Sequence, residues 1–133
     1  MLDSVEGSAV RRKETAYVKM FIQDGIFQAD FKPLELLDLP TAQLTVNDRL
    51  AFFEQQAYPC LFEVTQIKQI TKEARDFMAK EGNQLVLASA MIVNSPMLKM
   101  IANFYIMVNK PQNPTQLFTN RQQAIEWLGQ FTK

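Results

Sequence analysis

The sequence contains no histidine and a single cysteine among its 133 residues, and these two absences exclude several kinds of site. Without an imidazole, the chain has no histidine general base, no histidine-containing catalytic triad and no histidine metal ligand. One cysteine cannot close an internal disulfide or build a cysteine-rich zinc site. We therefore expect no metal site, no bound cofactor and no catalytic residues, so the protein is predicted not to be an enzyme.

Neither sign of charge is in excess, because 14 lysines and arginines balance 14 aspartates and glutamates. A neutral chain lacks the excess of basic residues that is usual in proteins that bind the phosphates of nucleic acids, so we expect no nucleic-acid partner. The chain also lacks an apolar run of about 18 residues, which argues against a transmembrane segment. Its start has no basic stretch followed by an apolar one, so no secretory signal is expected and a cytoplasmic location is predicted.

The chain does contain enough apolar material for a core. Hydrophobic residues make up 47% of it and charged residues 21%, which favours a folded protein over a disordered one. Residues 1–14 are polar and show no periodicity, so we interpret them as a flexible N-terminal lead-in. Residues 15–133 then form a single domain of ordinary size. Cys60 lies in an apolar segment and is predicted to be a buried, inert strand residue rather than a nucleophile.

The chain opens with the pattern of a β-hairpin. Residues 15–23 alternate between apolar and polar side chains, and residues 26–32 form a second strand. Asp24 and Gly25 lie between them and favour a type I′ turn, whose two central residues both need a positive φ.

Helices and strands alternate after the hairpin. The predicted strands are residues 60–66, 85–93 and 115–119, and the predicted helices are residues 46–57, 72–81, 96–108 and 121–131. The predicted N-caps are Thr45, Thr71, Ser95 and Asn120. Pro40 is expected to prevent an earlier start of the first helix. The order β-β-α-β-α-β-α-β-α predicts an α/β fold with a single, mostly parallel sheet and helices packed on it.

Residues 96–108 form an unusually apolar helix, in which only Lys99 and Asn103 are polar. A helix that is apolar on nearly its whole circumference has to be covered by something. Three interpretations are open. The helix packs between the sheet and neighbouring helices, or it forms a homodimer surface, or it lines a pocket for a small apolar or lipid-like ligand. The candidate interface or ligand residues are Met97, Met100, Ile101, Phe104 and Tyr105. In the pocket interpretation, the lining is expected to be Met97, Met100, Ile101, Phe104 and residues 86–93.

Asn94, Ser95 and Pro96 lie between the predicted strand and this helix, where open α/β sheets bind ligands. The free N–H groups of a helix N-terminus favour an anion there, including a phosphate on Ser95 itself. The simpler interpretation is that Ser95 only caps the helix. These three residues are therefore the candidate partner, anion or phosphorylation site.

Several short motifs within residues 15–131 resemble a known family. They are Asn47-Asp48-Arg49-Leu50, Tyr58-Pro59, Thr71-Lys72-Glu73-Ala74-Arg75, Ser95 through Asn103-Phe104, Asn109-Lys110-Pro111, Pro114-Thr115 with Phe118, and Ala124-Ile125-Glu126-Trp127-Leu128. With the order of elements, they make the chain similar to the SpoIIAA-like or STAS-like domains. The resemblance is greatest to a bacterial family of stand-alone SpoIIAA-like proteins of unknown function.

The resemblance implies a SpoIIAA-like fold and a regulatory role without catalysis. In the antagonist proteins of this fold, a serine at the start of the corresponding helix is a kinase target, and Ser95 holds that position here. The antagonist pattern has an acidic residue before its serines and a glycine after them. This sequence departs from it, because Asn94 precedes Ser95 and Pro96 follows it.

Two hypotheses follow for the function. The first is a regulatory or protein-interaction module of the STAS-like type, which forms a homodimer and binds a protein partner around Ser95 and residues 96–108. The alternative is a carrier or sensor of a small apolar or lipid-like ligand, held in a pocket beside the same helix.

Overall fold

The hairpin predicted around Asp24 and Gly25 is present in the computed structural model, which describes residues 10–132 of the chain. Strands β2 (Val18–Gln23) and β3 (Ile26–Phe31) pair antiparallel. Asp24 and Gly25 connect them with φ values of 54° and 79°, as a type I′ turn requires. The hairpin prediction is confirmed.

A further strand, β1 (Arg11–Glu14), precedes the hairpin and pairs antiparallel with β2. Arg11 anchors it, because its guanidinium donates hydrogen bonds to the Phe52 carbonyl at 2.7 Å and to Glu54 at 3.0 Å. The prediction of a flexible lead-in over residues 1–14 is therefore wrong for residues 11–14, while residues 1–9 lie outside the described residues. Four consecutive charged residues carry no strand periodicity, and only the pairing with β2 makes them a strand.

Five more strands follow the hairpin: β4 (Leu34–Leu37), β5 (Tyr58–Glu63), β6 (Ile67–Ile70), β7 (Val86–Ile92) and β8 (Thr115–Phe118). The main sheet has the order β1-β2-β3-β5-β7-β8. From β3 onward, each neighbouring pair in it is parallel. The predicted α/β fold, with a mostly parallel sheet and an N-terminal hairpin, is confirmed.

The prediction of a single sheet needs one correction. Strands β4 and β6 pair with each other in parallel and form a second, two-stranded sheet. Each has only four residues, too few for a pattern of period two to stand out from a loop. The two strands are also far apart in the chain, so no local turn motif predicts that they pair.

Helix α1 (Leu39–Phe53) begins earlier than predicted, because Asp38 and not Thr45 is its N-cap. The Asp38 carboxylate accepts the Thr41 backbone N–H at 3.0 Å. Pro40 lies in the first turn, where backbone N–H groups have no helical partner, so it does not prevent the helix. The helix ends at Phe53, before Tyr58 and Pro59, because Glu54 adopts a left-handed conformation with a φ of 53°.

The other three helices begin at the predicted caps. Helix α2 (Lys72–Ala79) is capped by Thr71, α3 (Pro96–Phe104) by Ser95 and α4 (Arg121–Gly129) by Asn120. In each, the cap side chain accepts the backbone N–H three residues ahead. A 3-10 turn (Glu81–Asn83) follows α2, and a π-helical turn (Tyr105–Asn109) continues α3.

Helix α4 covers one face of the main sheet. Ala124 and Leu128 on this helix are fully buried in a cluster with Leu61, Ala88 and Ala90 of strands β5 and β7. The alanines on the sheet allow the helix to approach closely, so this face is packed by small residues against larger ones.

Helices α1 and α2 and the small sheet cover the opposite face, whose core includes Phe27, Phe53 and Cys60. The rings of Phe27 and Phe53 meet edge to face with centroids 4.8 Å apart. Cys60 is fully buried, and this burial raises the pKa of its thiol to about 12. The predicted burial of this cysteine is therefore confirmed, and a protonated thiol is a weak nucleophile.

Candidate functional site: a cavity beneath helix α3

Helix α3 and its π-helical turn carry two apolar stripes on opposite sides. The inner stripe, directed at the sheet, consists of Leu98, Ile101, Ala102 and Tyr105. The outer stripe, directed at solvent, consists of Met97, Met100, Phe104 and Met107. Met100 is 67% exposed and Met107 is 73% exposed. The helix is therefore not packed between the sheet and neighbouring helices, which corrects the first interpretation of its apolar sequence.

A cavity of about 110 Å³ lies beneath the inner stripe. Its floor is the main sheet, from which Phe31, Phe62, Ser89 and Met91 reach it. Successive residues of a strand point to opposite faces. Ser89 and Met91 therefore face the cavity, while Ala88 and Ala90 pack in the cluster beneath α4.

The small sheet and α2 close the sides of the cavity. Leu37 and Ile70 reach it from β4 and β6, and Met78 from α2. The cavity lining is almost entirely apolar, which makes it a place for an apolar group.

Few polar side chains line this cavity, and Arg75 is the charged one among the described residues that do so. Its Nε is buried and has no hydrogen-bond partner in the described part of the chain. Its guanidinium lies over the ring of Phe104, 5.2 Å from the centroid. Arg75 therefore brings a positive charge to the wall of an apolar cavity without a hydrogen bond to that nitrogen.

Tyr105 and Asn83 form the other polar part of the wall. Burial raises the pKa of Tyr105 to about 12, while a hydrogen bond with the Asn83 side chain lowers it in part. The phenol therefore stays neutral at physiological pH. Asn83 also donates to the Ala79 carbonyl at 2.9 Å, so the polar wall is attached to the end of α2.

A second, smaller cavity of about 20 Å³ lies beside Arg49 of α1. Arg49 is 96% buried, since its relative exposure is 4%. Its Nη2 donates to the Gly82 carbonyl at 3.0 Å, whereas Nη1 has no partner among the described residues. Burial lowers the pKa of this guanidinium, and the negative charge that Cys60 acquires on ionisation counteracts that shift.

The two cavities share several lining residues, which are Phe31, Phe62, Met78 and Gly82. A water molecule needs about 10–15 Å³ of such space, so the smaller cavity has room for about one water. The larger cavity approaches the roughly 150 Å³ of an apolar engineered cavity that binds benzene. The larger one is therefore the candidate ligand site.

The far end of α3 is tethered to α2 through Asp76. The Asn109 side chain in the π-helical turn donates to Asp76 Oδ1 at 2.5 Å, and Lys72 contacts Asp76 Oδ2 at 2.8 Å. The ion pair and hydrogen bond with Lys72, followed by the bond from Asn109, hold the pKa of Asp76 below its ordinary value.

Ser95 lies at the other end of α3 and caps it, with its hydroxyl oxygen accepting the Leu98 N–H at 3.1 Å. Its capping role is confirmed. Asn94 and Pro96 on either side are exposed, and Ser95 is half-buried. Phosphorylation of Ser95, or an anion bound there, stays a prediction.

The structure divides the predicted ligand residues between two surfaces. Ile101 and Tyr105 line the cavity, whereas Met97, Met100 and Phe104 do not and are 61%, 67% and 48% exposed. The predicted cavity lining is therefore corrected for these three residues. Sequence spacing showed that both sides of the helix are apolar but not which side faces the sheet.

Among the polar residues of the cavity, Tyr105 is one that the sequence predicts as a ligand or interface residue, whereas Arg75, Asn83 and Ser89 are not. Arg75 occurs in a helix with Lys72 and Asp76, where a solvated charge is the ordinary expectation. A pair of apolar neighbours one turn apart, Ala74 and Met78, was the available sign that part of this helix turns inward.

In the described part of the chain, the helices are too short or too polar to pass through a bilayer.

Comparisons with known proteins agree with this architecture. The family model that matches is DUF7793, a domain of unknown function, over residues 20–132. A solved structure of an uncharacterized protein of the DUF3478 family from Shewanella loihica PV-4, with a SpoIIAA-like fold, is similar with a TM-score of 0.54. The match is 14% identical and covers 96% of this chain and 98% of that one, which establishes the fold alone. The predicted SpoIIAA-like fold is thus confirmed. No curated protein matches the chain.

Proposed function

We propose that this chain, which belongs to the DUF7793 family, is a non-enzymatic interaction module whose outer stripe on α3 binds a second copy of the chain. The observation that carries the proposal is the exposure of this stripe. Four large apolar side chains in a row on one helix leave more apolar surface in water than a scatter of single exposed residues does. The proposed module is a single domain over residues 15–133.

The spacing of the stripe favours another helix as the partner element. Its members follow one another at intervals of three, four and three residues, from Met97 through Met107. This is the spacing of the a and d positions by which two helices interlock side chains. Methionine also suits such a contact, because its flexible thioether adapts to the surface opposite.

A second copy supplies the complementary helix by symmetry. In an isologous dimer the same stripe lies on both sides of the contact, so apolar surface meets apolar surface. Lys99 is the one charged residue in α3, and the formal net charge of the chain is zero, so two copies do not repel strongly. Pairing through the β1 edge is disfavoured, because β1 consists of charged residues.

Size exclusion with light scattering tests this proposal, and Met100→Glu is the variant to use. We expect a mass near twice the 15.3 kDa of the chain for the unaltered protein. The glutamate should weaken dimerisation at least ~10-fold, because it removes an apolar contact and brings a charge into the interface. Leu44→Glu is the control, since Leu44 is 51% exposed and lies on α1 rather than on α3.

A monomeric mass for the unaltered protein at all concentrations would contradict the proposal. So would a Met100→Glu protein that dimerises as well as the Leu44→Glu control. Circular dichroism of both variants shows whether the helices are retained.

The cavity supports a second candidate function, that of a carrier or sensor of a small apolar ligand. Its volume of about 110 Å³ and its apolar lining are the observations in favour. Drug-sized ligands occupy pockets of roughly 300–1,000 Å³, so the ligand proposed here is no larger than a short alkyl chain or a single ring. A phospholipid with two chains does not fit this volume.

Methyl resonances of methionine test the carrier function directly. Met78 and Met91 line the cavity, whereas Met97, Met100 and Met107 are outside it. Titration with 1-hexanol should shift the first two resonances and leave the outer three in place. Shifts confined to the outer methionines would mean that the molecule binds the surface, and the carrier function would then be rejected.

A further inference from the structure

We propose that the cavity beneath α3 takes a small apolar carboxylic acid, with Arg75 binding the carboxylate and the apolar lining enclosing the tail. The inference rests on the carrier function proposed above and adds the chemical class of the ligand. Its starting point is a guanidinium on the wall of a cavity that is otherwise almost wholly apolar.

Arg75 has a donor left over for a ligand. Its Nε is buried without a hydrogen-bond partner among the described residues, and an unpaired buried donor is costly. The neighbouring acid Asp76 does not accept a hydrogen bond from this nitrogen, and its two carboxylate oxygens accept from Lys72 and Asn109 instead. Asp76 and Arg75 influence each other only through their charges.

The charge of the lining indicates a ligand with one negative charge. Among the described residues that line the cavity, Arg75 carries the single charge, while Tyr105 stays neutral because burial raises its pKa to about 12. A carboxylate also matches the planar fork of a guanidinium, which can donate two parallel N–H groups to its two oxygens. An alcohol or a hydrocarbon would leave the guanidinium without its counter-charge.

Arg49 is the competing guanidinium, and the sizes of the two cavities exclude it as the ligand's partner. The space beside Arg49 is about 20 Å³, which suffices for about one water but not for a carboxylate with a tail. Arg75 lines the larger cavity, which has the volume for a short chain or ring. The ring of Phe104, stacked against its guanidinium, orients Arg75 at this wall.

Hexanoate and 1-hexanol are the paired probes, since they share a chain length and differ in the charged group. Binding at neutral pH is followed by the methyl resonances of Met78 and Met91 in the unaltered protein and in Arg75→Gln. We expect hexanoate to bind the unaltered protein at least ~10-fold more tightly than hexanol. In Arg75→Gln this preference should fall to within about twofold, while hexanol binds as before.

Two further variants separate the role of Arg75 from a general effect of charge. Arg12→Gln is the matched control, because Arg12 is exposed on β1 and also lies over a phenylalanine ring, that of Phe21. It should leave the hexanoate preference unchanged. Arg75→Lys keeps the charge but not the guanidinium fork, and it should retain only part of the preference.

The outcomes distinguish this inference from the function on which it rests. Shifts of Met78 and Met91 by hexanol, without any preference for hexanoate, would overturn the acid ligand and keep the apolar carrier. An undiminished preference in Arg75→Gln would overturn the role of Arg75, and unchanged hexanol binding shows that this variant is folded. Absence of cavity shifts with both probes would reject the carrier function and the acid together.

Discussion

Arg49 is the most unusual single residue outside the candidate ligand site, because it buries a guanidinium with no carboxylate partner. In the described part of the chain, no acid lies within ion-pair distance of it, and one of its terminal nitrogens has no hydrogen bond. Its compensation is the Gly82 carbonyl and the ring of Phe53, 4.9 Å from the guanidinium carbon. A buried, unpaired charge usually costs more than such contacts return.

We therefore predict that Arg49→Met raises the free energy of unfolding by about 1 kcal/mol, as urea denaturation would measure. Methionine keeps a long apolar stem against Phe53 and removes the charge from the interior. Arg12→Met is the control, because Arg12 is exposed and its replacement should change stability by less than about 0.5 kcal/mol. A loss of stability in Arg49→Met would show that the hydrogen bond to Gly82 outweighs the cost of burying the charge.

At the scale of elements, α1 shows how capping decides where a helix begins. Asp38 caps it, and hydrogen bonds from the Thr41 side chain and backbone N–H hold the pKa of Asp38 below its ordinary value. The carboxylate is therefore favoured in the folded state. Its contribution to stability is full above the unfolded pKa of about 3.9 and is lost as the pH falls through the lower folded value.

We predict that Asp38→Ala lowers the Tm by a few degrees near neutral pH, roughly 2–5 °C, and that this difference shrinks below about pH 4. Differential scanning calorimetry at a series of pH values measures both. Asp38→Asn is the control, because asparagine caps nearly as well but does not titrate, so its Tm should stay closer to that of the unaltered protein near neutral pH. A difference between Asp38→Ala and the unaltered protein that does not depend on pH would contradict the titrating cap.

The same scale shows which elements local signals could predict. Each of three predicted caps precedes a segment whose apolar residues recur at helical spacing, and each is the observed N-cap: Thr71, Ser95 and Asn120. For α1 the local signals conflicted, because Thr45 resembles a cap and Pro40 resembles a barrier. In the folded chain the Thr45 hydroxyl donates to the Ala42 carbonyl at 2.9 Å, inside the helix. The N-cap is thus the residue whose backbone is extended at the start of the helix, and sequence spacing alone does not show which residue that is.

At the scale of the whole molecule, the cavity depends on how the layers are placed. The face under α4 is closed by small and large residues in contact. The opposite face is packed by α1, α2 and the small sheet, and α3 lies over the cavity there. The small sheet, which local patterns did not predict, supplies part of the cavity wall. Strand β7 and α3 are consecutive in the chain, but the rest of the floor and the sides come from β3, β4, β5, β6 and α2. Because these segments are far apart in the chain, no local pattern could indicate the cavity.

By itself, the sequence determined the α/β class, the N-terminal hairpin, the buried cysteine and the unusual apolarity of residues 96–108. These features follow from local periodicity, turn chemistry and composition, which neighbouring residues fix between them. Only the tertiary structure decided that β1, β4 and β6 are strands, that Met100 faces solvent while Ile101 faces a cavity, and that Arg75 lines it. The physical reason is that pairing and burial are relations between distant segments, so a side chain's surroundings are set by whichever segment packs against it.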